Sequence, residues 1–277
     1  MINYVCFNIT SYCNMNCEFC YRVGSTYGSV NLPKAKKFID MLSTLGCKTI
    51  NITGGEPLLN SCWREIVEYC NSKEIYTILS TNGLLLDLQD PIMRKINVIS
   101  LPLDGSDDSS NDSVRISGHF RKVSRLINDY KKGNYPFKLK VNTVITKHNI
   151  TNVFKMLSLL DDSKIVWKLF GLREKGEFYH FSENNKVRCD EETAIINSLL
   201  QAKHSCSIIY MKGTSSVDLV GAVKPNYIVL NYNGDVYFST DNEDILLFNL
   251  NDYQFNNDLD LKELNNQYFE ELKNALQ

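Results

Sequence analysis

Three cysteines near the amino terminus, Cys13, Cys17 and Cys20, are separated by three and by two residues. Thiolates at this density can bind an iron–sulfur cluster, and a [4Fe–4S] cluster takes four ligands that are usually cysteines. The neighbouring cysteines are Cys6, inside an apolar run, and Cys47, far downstream. Three close ligands without an evident fourth predict one open iron, which is typical of a catalytic rather than a closed structural metal site.

Two other interpretations of the three cysteines are zinc binding and free thiols in the protein core. Zinc sites are mostly built from paired C-x-x-C units, and the sequence holds no second such pair. Nine cysteines spread unevenly over 277 residues also do not form the framework of a small disulfide-rich domain. A reduced cytoplasm suits both the thiols and an oxygen-sensitive cluster, so we expect a cytoplasmic protein.

Composition excludes several classes of partner. The 30 Lys and Arg residues nearly balance the 32 Asp and Glu residues, which argues against nucleic-acid binding. No apolar run reaches the roughly 18 residues of a membrane span, and the first residues lack the features of a signal peptide. With 43% hydrophobic and 22% charged residues, the chain is expected to form a globular α/β domain.

The spacing C-x-x-x-C-x-aromatic-C, in which Phe19 is the aromatic residue, resembles the signature of the radical S-adenosylmethionine (SAM) enzymes. The resemblance implies a [4Fe–4S] cluster on Cys13, Cys17 and Cys20, with SAM chelated to the open iron and Phe19 beside the cofactor. One electron would cleave SAM to methionine and a 5′-deoxyadenosyl radical, which abstracts hydrogen from the substrate. The resemblance also implies a flavodoxin or ferredoxin as electron donor.

Strands and amphipathic helices alternate about six times between residues 4 and 171. Strands are predicted at 4–10, 49–53, 75–80, 96–103, 137–146 and 164–170, and helices at 33–45, 61–72, 119–132 and 150–160. This alternation predicts βαβ units and a parallel sheet that right-handed crossovers curve. Six units are fewer than the eight of a full barrel. The predicted fold is therefore α/β, an open (β/α)6 partial TIM-like barrel.

Residues 172–277 are less regular and are predicted to be an α+β extension. A helix over 190–203, a strand over 208–211, a hairpin over 227–238 around Asn233-Gly234 and a last helix over 260–275 are expected. We expect two domains, 1–171 as the barrel and 172–277 as the extension that closes its open side and shapes the substrate pocket.

Polar motifs follow the predicted strands at their carboxyl ends, where α/β folds bind ligands. Gly54 and Gly55 would let a ligand approach the backbone, and Glu56 could accept hydrogen bonds from an ammonium group. The resemblance assigns these three residues to the SAM amino group. It adds further cofactor-binding candidates, with the arginine on the SAM carboxylate: Ser80, Asn82, Asp104 and Arg115. The alternatives are ordinary turns and a solvated loop cation.

Lys140 and Lys168 are expected on the inner face of adjacent strands of the predicted barrel. Strands of a parallel sheet are usually apolar on both faces, and a buried charge is costly unless it is paired. Two inward ammonium groups therefore predict an anionic substrate. The alternatives are pairing with carboxylates of the barrel, or a strand assignment that is wrong by one residue.

Residues 140–177 resemble the viperin family of radical SAM enzymes, which dehydrate nucleoside triphosphates. The similar segments are KVNTVITKHN from Lys140, VWKLF ending at Phe170, and EKGE ending at Glu177. The resemblance implies five substrate-binding residues, with the lysines on phosphates: Asn8, Lys140, Asn142, Lys168 and Tyr227. The chain departs from viperins at Val166, where they have arginine, and at Cys6, where they have asparagine.

Three functions stay open on the sequence. The first is a viperin-like nucleotide dehydratase, and the second is the same radical initiation on a peptide or another small metabolite. The third is a non-catalytic iron–sulfur sensor, which would have no use for the motif at residues 54–56. Only Cys189 and Cys206 follow residue 70, so no auxiliary cluster is expected.

Overall fold

A computed structural model describes residues 4–17, 19–20, 27–172, 179–211, 227–239 and 244–252 of the chain. The strands of this described part form one sheet in the order β10-β9-β8-β1-β2-β3-β4-β5-β6-β7. The strands are β1 (Tyr4–Thr10), β2 (Thr49–Gly54), β3 (Tyr76–Ser80), β4 (Val98–Pro102), β5 (Lys138–Ile145), β6 (Ile165–Gly171), β7 (Ser207–Met211), β8 (Tyr227–Asn231), β9 (Asp235–Ser239) and β10 (Asp244–Asn249).

Helices follow most of the parallel strands. They are α1 (Leu32–Thr44), α2 (Trp63–Ser72), α3 (Asp108–Asp112), α4 (His119–Lys132), α5 (Val153–Leu160), α6 (Tyr179–Asn185) and α7 (Cys189–Gln201). The Asn31 side chain caps α1 by accepting a hydrogen bond from the amide of Lys34, and a proline in the first turn favours the same start. Asp107 caps α3 in the same way, by accepting a hydrogen bond from the amide of Ser110.

The strands from β8 through β1 to β7 pair in parallel, whereas β9 and β10 add an antiparallel edge. The predicted α/β class and partial barrel are confirmed, since the sheet is open and β7 and β10 form its two edges. The predicted hairpin is also present, as β8 and β9.

The parallel part of the sheet is larger than the six predicted strands. β7 extends the sheet beyond β6, and β8 pairs with β1 at the other side, so residues after 171 contribute to both edges. Such pairing between distant segments has no local sequence signal. The proposed division into domains at residue 171 stays a prediction, and the last predicted helix, over 260–275, lies outside the described residues.

The two faces of the sheet differ in polarity. Val5, Phe7 and Ile9 are fully buried on the outer face, where Phe7 contacts Phe38 of α1 with ring centres 6.1 Å apart. Leu139 and its neighbours on the same face of β5 are buried in the same core. The side chains of the inner face are mostly polar. Among the described helices, none is long and apolar enough to cross a membrane.

Candidate active site

The loop that carries Cys13, Cys17 and Cys20 follows the carboxyl end of β1. The end of β2 holds this loop in place through its backbone. The Gly55 amide donates to the carbonyl of Thr10 at 2.8 Å, and the Glu56 amide donates to the carbonyl of Tyr12 at 2.7 Å. The cysteine loop therefore lies directly against the segment at residues 54–56, as expected of two motifs at neighbouring strand ends.

Gly54 and Gly55 are required by this close backbone approach. A Cβ on Gly54 would lie 2.2 Å from the carbonyl oxygen of Thr10, and the φ angle of +126° also disfavours any other residue. A Cβ on Gly55 would lie 2.1 Å from the carbonyl oxygen of Tyr12. In the structure the glycines serve the packing of the chain on its own cysteine loop, and their contact with SAM stays a prediction.

The Glu56 carboxylate joins the ends of β2 and β3. It is fully buried and accepts hydrogen bonds from the Leu58 amide at 3.0 Å, the Thr81 hydroxyl at 2.7 Å and the Asn82 amide at 2.7 Å. Burial raises the pKa of this carboxyl group, and the hydrogen bonds oppose that shift. The chain itself thus supplies three donors to the group that the family resemblance assigns to the SAM amino group.

Asn82 lies between the cysteine loop and α4. Its side-chain amide donates to the Oδ1 atom of Asn14 at 2.7 Å and lies 4.0 Å from the Cys13 sulfur. Its carbonyl oxygen lies 3.1 Å from Nε2 of His119. The predicted cofactor-binding residue Asn82 is therefore beside the cysteines.

His119, to which the sequence assigned no role, supports this loop. Its Nδ1 lies 2.9 Å from the amide nitrogen of Asn111, which can only donate, so Nε2 carries the proton that Asn82 accepts. Burial, and then the nearby charge of Arg115, lower the pKa of His119 to about 4. The ring is thus a neutral, fixed contact. A histidine at the start of a predicted helix gives no sign of such a role.

Asp104 and Arg115 form a buried ion pair beside the cysteine loop. Nε of Arg115 donates to Asp104 at 2.6 Å, and Nη1 donates to the Cys17 sulfur at 3.3 Å. The guanidinium group lies 4.6 Å from the centre of the Phe19 ring. The structure thus brings four predicted site residues together. The interpretation of Arg115 as a solvated loop cation is wrong, because its side chain is only 13% exposed.

The donor chemistry of the cysteine loop fits an iron–sulfur cluster. Burial raises the pKa of the Cys13 thiol, and the nearby Glu56, Cys17 and Cys20 add to that shift, so the three sulfurs influence one another. Burial also raises the pKa of Cys17, which Arg115 opposes. No three potential ligands in the described residues converge on a single metal ion. Three thiols on one loop could each bind one iron of a [4Fe–4S] cluster.

The inner face of the sheet carries a network of small polar groups. The Ser80 hydroxyl donates to Oδ1 of Asn51 at 2.7 Å, and the Asn51 amide lies 3.6 Å from the Cys6 sulfur. Asn8 donates to Oδ1 of Asn231 on β8 at 2.7 Å. Ser80, predicted to bind the cofactor, thus lies in this network. Asn51 and Asn231 were not among the predicted residues, because their neighbours come from strands far apart in sequence.

Lys140 and Lys168 lie on adjacent strands of this inner face. Lys140 pairs with Val166 and Asn142 pairs with Lys168 in the β5–β6 register, so the predicted strand parity is confirmed. Neither lysine makes a hydrogen bond or an ion pair with a described residue; Nζ of Lys168 lies 5.0 Å from the centre of the Phe170 ring. Burial, and then the charge of Lys168, lower the pKa of Lys140 to about 8.

The expected alternative of pairing with barrel carboxylates is not met in the described residues. The strands from β1 to β8 contain no Asp or Glu residue. Asn142 donates to the Ser100 hydroxyl at 2.9 Å, but its Oδ1 atom is buried without a hydrogen-bond partner in the described part of the chain. This region of the inner face therefore offers two cations and one acceptor that the described side chains do not satisfy.

Tyr227 lies at the opposite end of the sheet from the cysteine loop. It is the first residue of β8, beside Tyr4 at the amino end of β1, because Val5 pairs with Ile228. Six residues of extended chain separate Tyr4 from the end of β1, or about 20 Å at roughly 3.3 Å per residue. The structure thus does not bring Tyr227 to the cysteines.

A family model described as "Radical SAM superfamily" matches residues 7–160. The chain belongs to the radical SAM superfamily. Members of this superfamily are enzymes that use a [4Fe–4S] cluster and SAM, and the thiols, glycines and buried polar groups described above fit such a cofactor pair.

Several characterised enzymes are similar to this chain over part of their length. An AdoMet-dependent heme synthase of Methanosarcina barkeri is 28% identical over 226 residues, which cover 75% of this chain and 63% of that protein. An S-adenosylmethionine-dependent nucleotide dehydratase of Flammeovirga pacifica is 27% identical over 177 residues, 59% of this chain and 60% of that protein. The chain thus spans less than two thirds of either relative.

Solved structures support the fold. The Streptococcus suis protein SuiB, crystallised with its precursor peptide SuiA, superimposes with a TM-score of 0.65 at 16% sequence identity. The match covers 85% of this chain and 58% of that chain. At this level of identity the likeness concerns the fold alone.

Proposed function

We propose that this chain is a radical SAM enzyme that acts on a nucleoside triphosphate and dehydrates it in the manner of the viperin family. The observation that carries the proposal is the pair of ammonium groups of Lys140 and Lys168, which face the inside of the sheet without a counter-charge among the described residues. The name of the Flammeovirga pacifica relative, a nucleotide dehydratase, supports the same substrate class.

The cofactor end of the site is assigned to residues that the structure places around the cysteine loop. Cys13, Cys17 and Cys20 would hold the cluster, and Gly54, Gly55, Glu56, Phe19, Asn82 and Arg115 would surround SAM. When bound, the cluster and SAM supply a 5′-deoxyadenosyl radical. A flavodoxin or ferredoxin in the cytoplasm is the proposed electron donor.

The two lysines would bind the phosphates of the substrate. Burial lowers the pKa of both lysines, because removing an ammonium group from water disfavours its charged form. A bound polyphosphate would reverse this effect and form charge-assisted hydrogen bonds, which are roughly twice as strong as neutral ones. The buried Oδ1 atom of Asn142 could accept a hydrogen bond from a ribose hydroxyl. Ser100 would keep the Asn142 amide in that orientation.

None of the strands β1 to β8 contains an Asp or Glu residue, which favours an anionic substrate over a cationic or neutral one. A carboxylate beside either lysine would neutralise it and repel phosphate. Because Val166 stands where viperins have arginine, this chain would use two lysines for the work of three cations. We therefore expect fewer contacts between the protein and the phosphates than in viperins.

An anaerobic assay tests the proposal. The reconstituted protein is mixed with SAM and dithionite, and 5′-deoxyadenosine is quantified with and without each nucleoside triphosphate. We expect one triphosphate to raise the yield in the wild type, and Lys140→Met and Lys168→Met to lose that increase. Lys155→Met, which removes an exposed lysine of α5, is the matched control.

The outcomes separate the alternatives. If 5′-deoxyadenosine forms but no nucleotide changes its yield, the nucleotide substrate is contradicted and a peptide or another small metabolite takes its place. If the wild type forms none and Cys17→Ala behaves identically, the protein acts as an iron–sulfur sensor or in some other non-catalytic way.

A further inference from the structure

Arg115 connects the segment after β4 to the cysteine loop. Its Nε donates to Oδ2 of Asp104 at 2.6 Å, and its Nη1 donates to the sulfur of Cys17 at 3.3 Å. Its guanidinium group lies 4.6 Å from the centre of the Phe19 ring, a favourable cation–π distance. A carboxylate, a thiol and an aromatic ring thus hold the cation on three sides.

The carboxylate that anchors Arg115 is itself fixed. Oδ1 of Asp104 accepts a hydrogen bond from the Val144 amide at 2.8 Å, and its backbone carbonyl accepts one from Asn149 at 3.0 Å. The Asp104 amide donates to Oδ1 of Asn111 at 2.9 Å. The guanidinium cannot leave the Cys17 sulfur without disturbing a buried ion pair. Its place beside that sulfur is therefore built into the fold.

We propose that Arg115 is a positioning residue that raises the reduction potential of the cluster through its hydrogen bond to Cys17. The inference rests on the proposed function, because it takes Cys17 as a cluster ligand. Hydrogen bonds to ligand sulfurs and the local net charge set the potential of iron–sulfur clusters, and outer contacts of this kind orient the ligands. One-electron reduction would make the cluster more negative. The nearby guanidinium would therefore stabilise the reduced cluster more than the oxidised cluster.

This role is compatible with the predicted contact between Arg115 and the SAM carboxylate. A guanidinium group carries five N–H donors, and the contacts with Asp104 and Cys17 use one at Nε and one at Nη1. Nη2 makes no hydrogen bond to a described residue. One side chain can therefore contact a cluster ligand and a bound carboxylate together.

The midpoint potential of the cluster tests the inference. Wild type, Arg115→Gln, Arg115→Lys and Arg121→Gln are reconstituted anaerobically and titrated with reductant while the EPR signal of the reduced cluster is followed. For Arg115→Gln we expect the equilibrium constant for reduction to fall about tenfold, which is 59 mV for a one-electron couple. Arg115→Lys keeps the positive charge but loses the planar guanidinium group that contacts Asp104 and Cys17 together. Its midpoint potential should lie between those of the wild type and Arg115→Gln. Arg121 is exposed, so its variant should match the wild type.

Each outcome either supports or overturns the proposed role of Arg115. A fully loaded Arg115→Gln cluster with the wild-type potential would overturn the inference. If that variant holds no cluster, Arg115→Lys decides, since a lowered potential supports the role and an unchanged potential overturns it. If both variants stay folded but lose the cluster, Arg115 serves assembly and not the potential, which also overturns it. A wild type that binds no cluster would instead contradict the proposed function itself.

Discussion

The cofactor end and the substrate region of this site are built in opposite ways. Around the cysteine loop, the buried charges of Glu56, Asp104 and Arg115 are engaged by donors and acceptors of the chain itself. On the inner face, the charges of Lys140 and Lys168 have no such partners in the described residues. The difference indicates a preorganised site for the cofactors. The charges of the substrate region would be paired only when an anionic substrate binds.

The largest effect on stability is expected from breaking the buried ion pair beside the cysteine loop. Asp104→Ala leaves Arg115 buried without its counter-charge, which typically destabilises a protein by about 3–5 kcal/mol. Chemical denaturation of the apo-protein measures this free energy of unfolding. Asp108→Ala is the matched control, because Asp108 pairs with exposed Arg121 and should cost no more than about 1 kcal/mol. Equal effects of the two variants would contradict the comparison.

The next effect concerns the backbone contact at the cofactor end. Gly55→Ala places a Cβ 2.1 Å from the Tyr12 carbonyl oxygen, so the cysteine loop must move. We expect this variant to lose most of its iron and sulfide after reconstitution. Gly118→Ala is the control, since its Cβ meets nothing within 4 Å, although the φ angle of Gly118, +82°, itself disfavours alanine. A normal iron content in Gly55→Ala would show that the contact is not needed.

The unsatisfied region should respond in the opposite direction. Lys140→Met removes a buried charge without removing a partner of it, so the ligand-free protein should gain up to about 3 kcal/mol of stability, to judge from the lowered pKa. The same variant should bind triphosphate more weakly. Thermal unfolding with and without a nucleoside triphosphate measures both effects. A destabilised Lys140→Met protein would mean that the lysine has a structural partner.

The smallest effect is a pH dependence of anion binding. The folded-state pKa of Lys140 is lowered to about 8, below that of an unfolded lysine. An anion prefers the protonated form, so its dissociation constant should rise above pH 8 by up to about tenfold per pH unit. In the ligand-free protein the unfolded state binds more protons between pH 8 and the unfolded pKa, so stability should rise with pH in that window. Calorimetry across this range tests both signs, and a flat profile would contradict them.

Local patterns predicted the strands up to residue 171 and the two faces of the sheet, but not α6 or β10. The alternation along β5 and β6 placed Lys140 and Lys168 on the inner face, and the cysteine spacing indicated the cofactor loop. The sequence could not predict that β8 pairs with β1 or that His119 donates to the Asn82 carbonyl, since these contacts join distant segments. For the same reason, the contact of Arg115 with Cys17 could be found only in the folded chain.

The most direct test of the whole account follows hydrogen from the substrate. The reconstituted enzyme is supplied with SAM, reductant and a nucleoside triphosphate deuterated on the ribose, and the 5′-deoxyadenosine formed is analysed by mass spectrometry. The account predicts that 5′-deoxyadenosine gains one deuterium in the wild type and not in the Lys140→Met, Lys168→Met double variant. Ample 5′-deoxyadenosine that stays unlabelled with every nucleotide would contradict it.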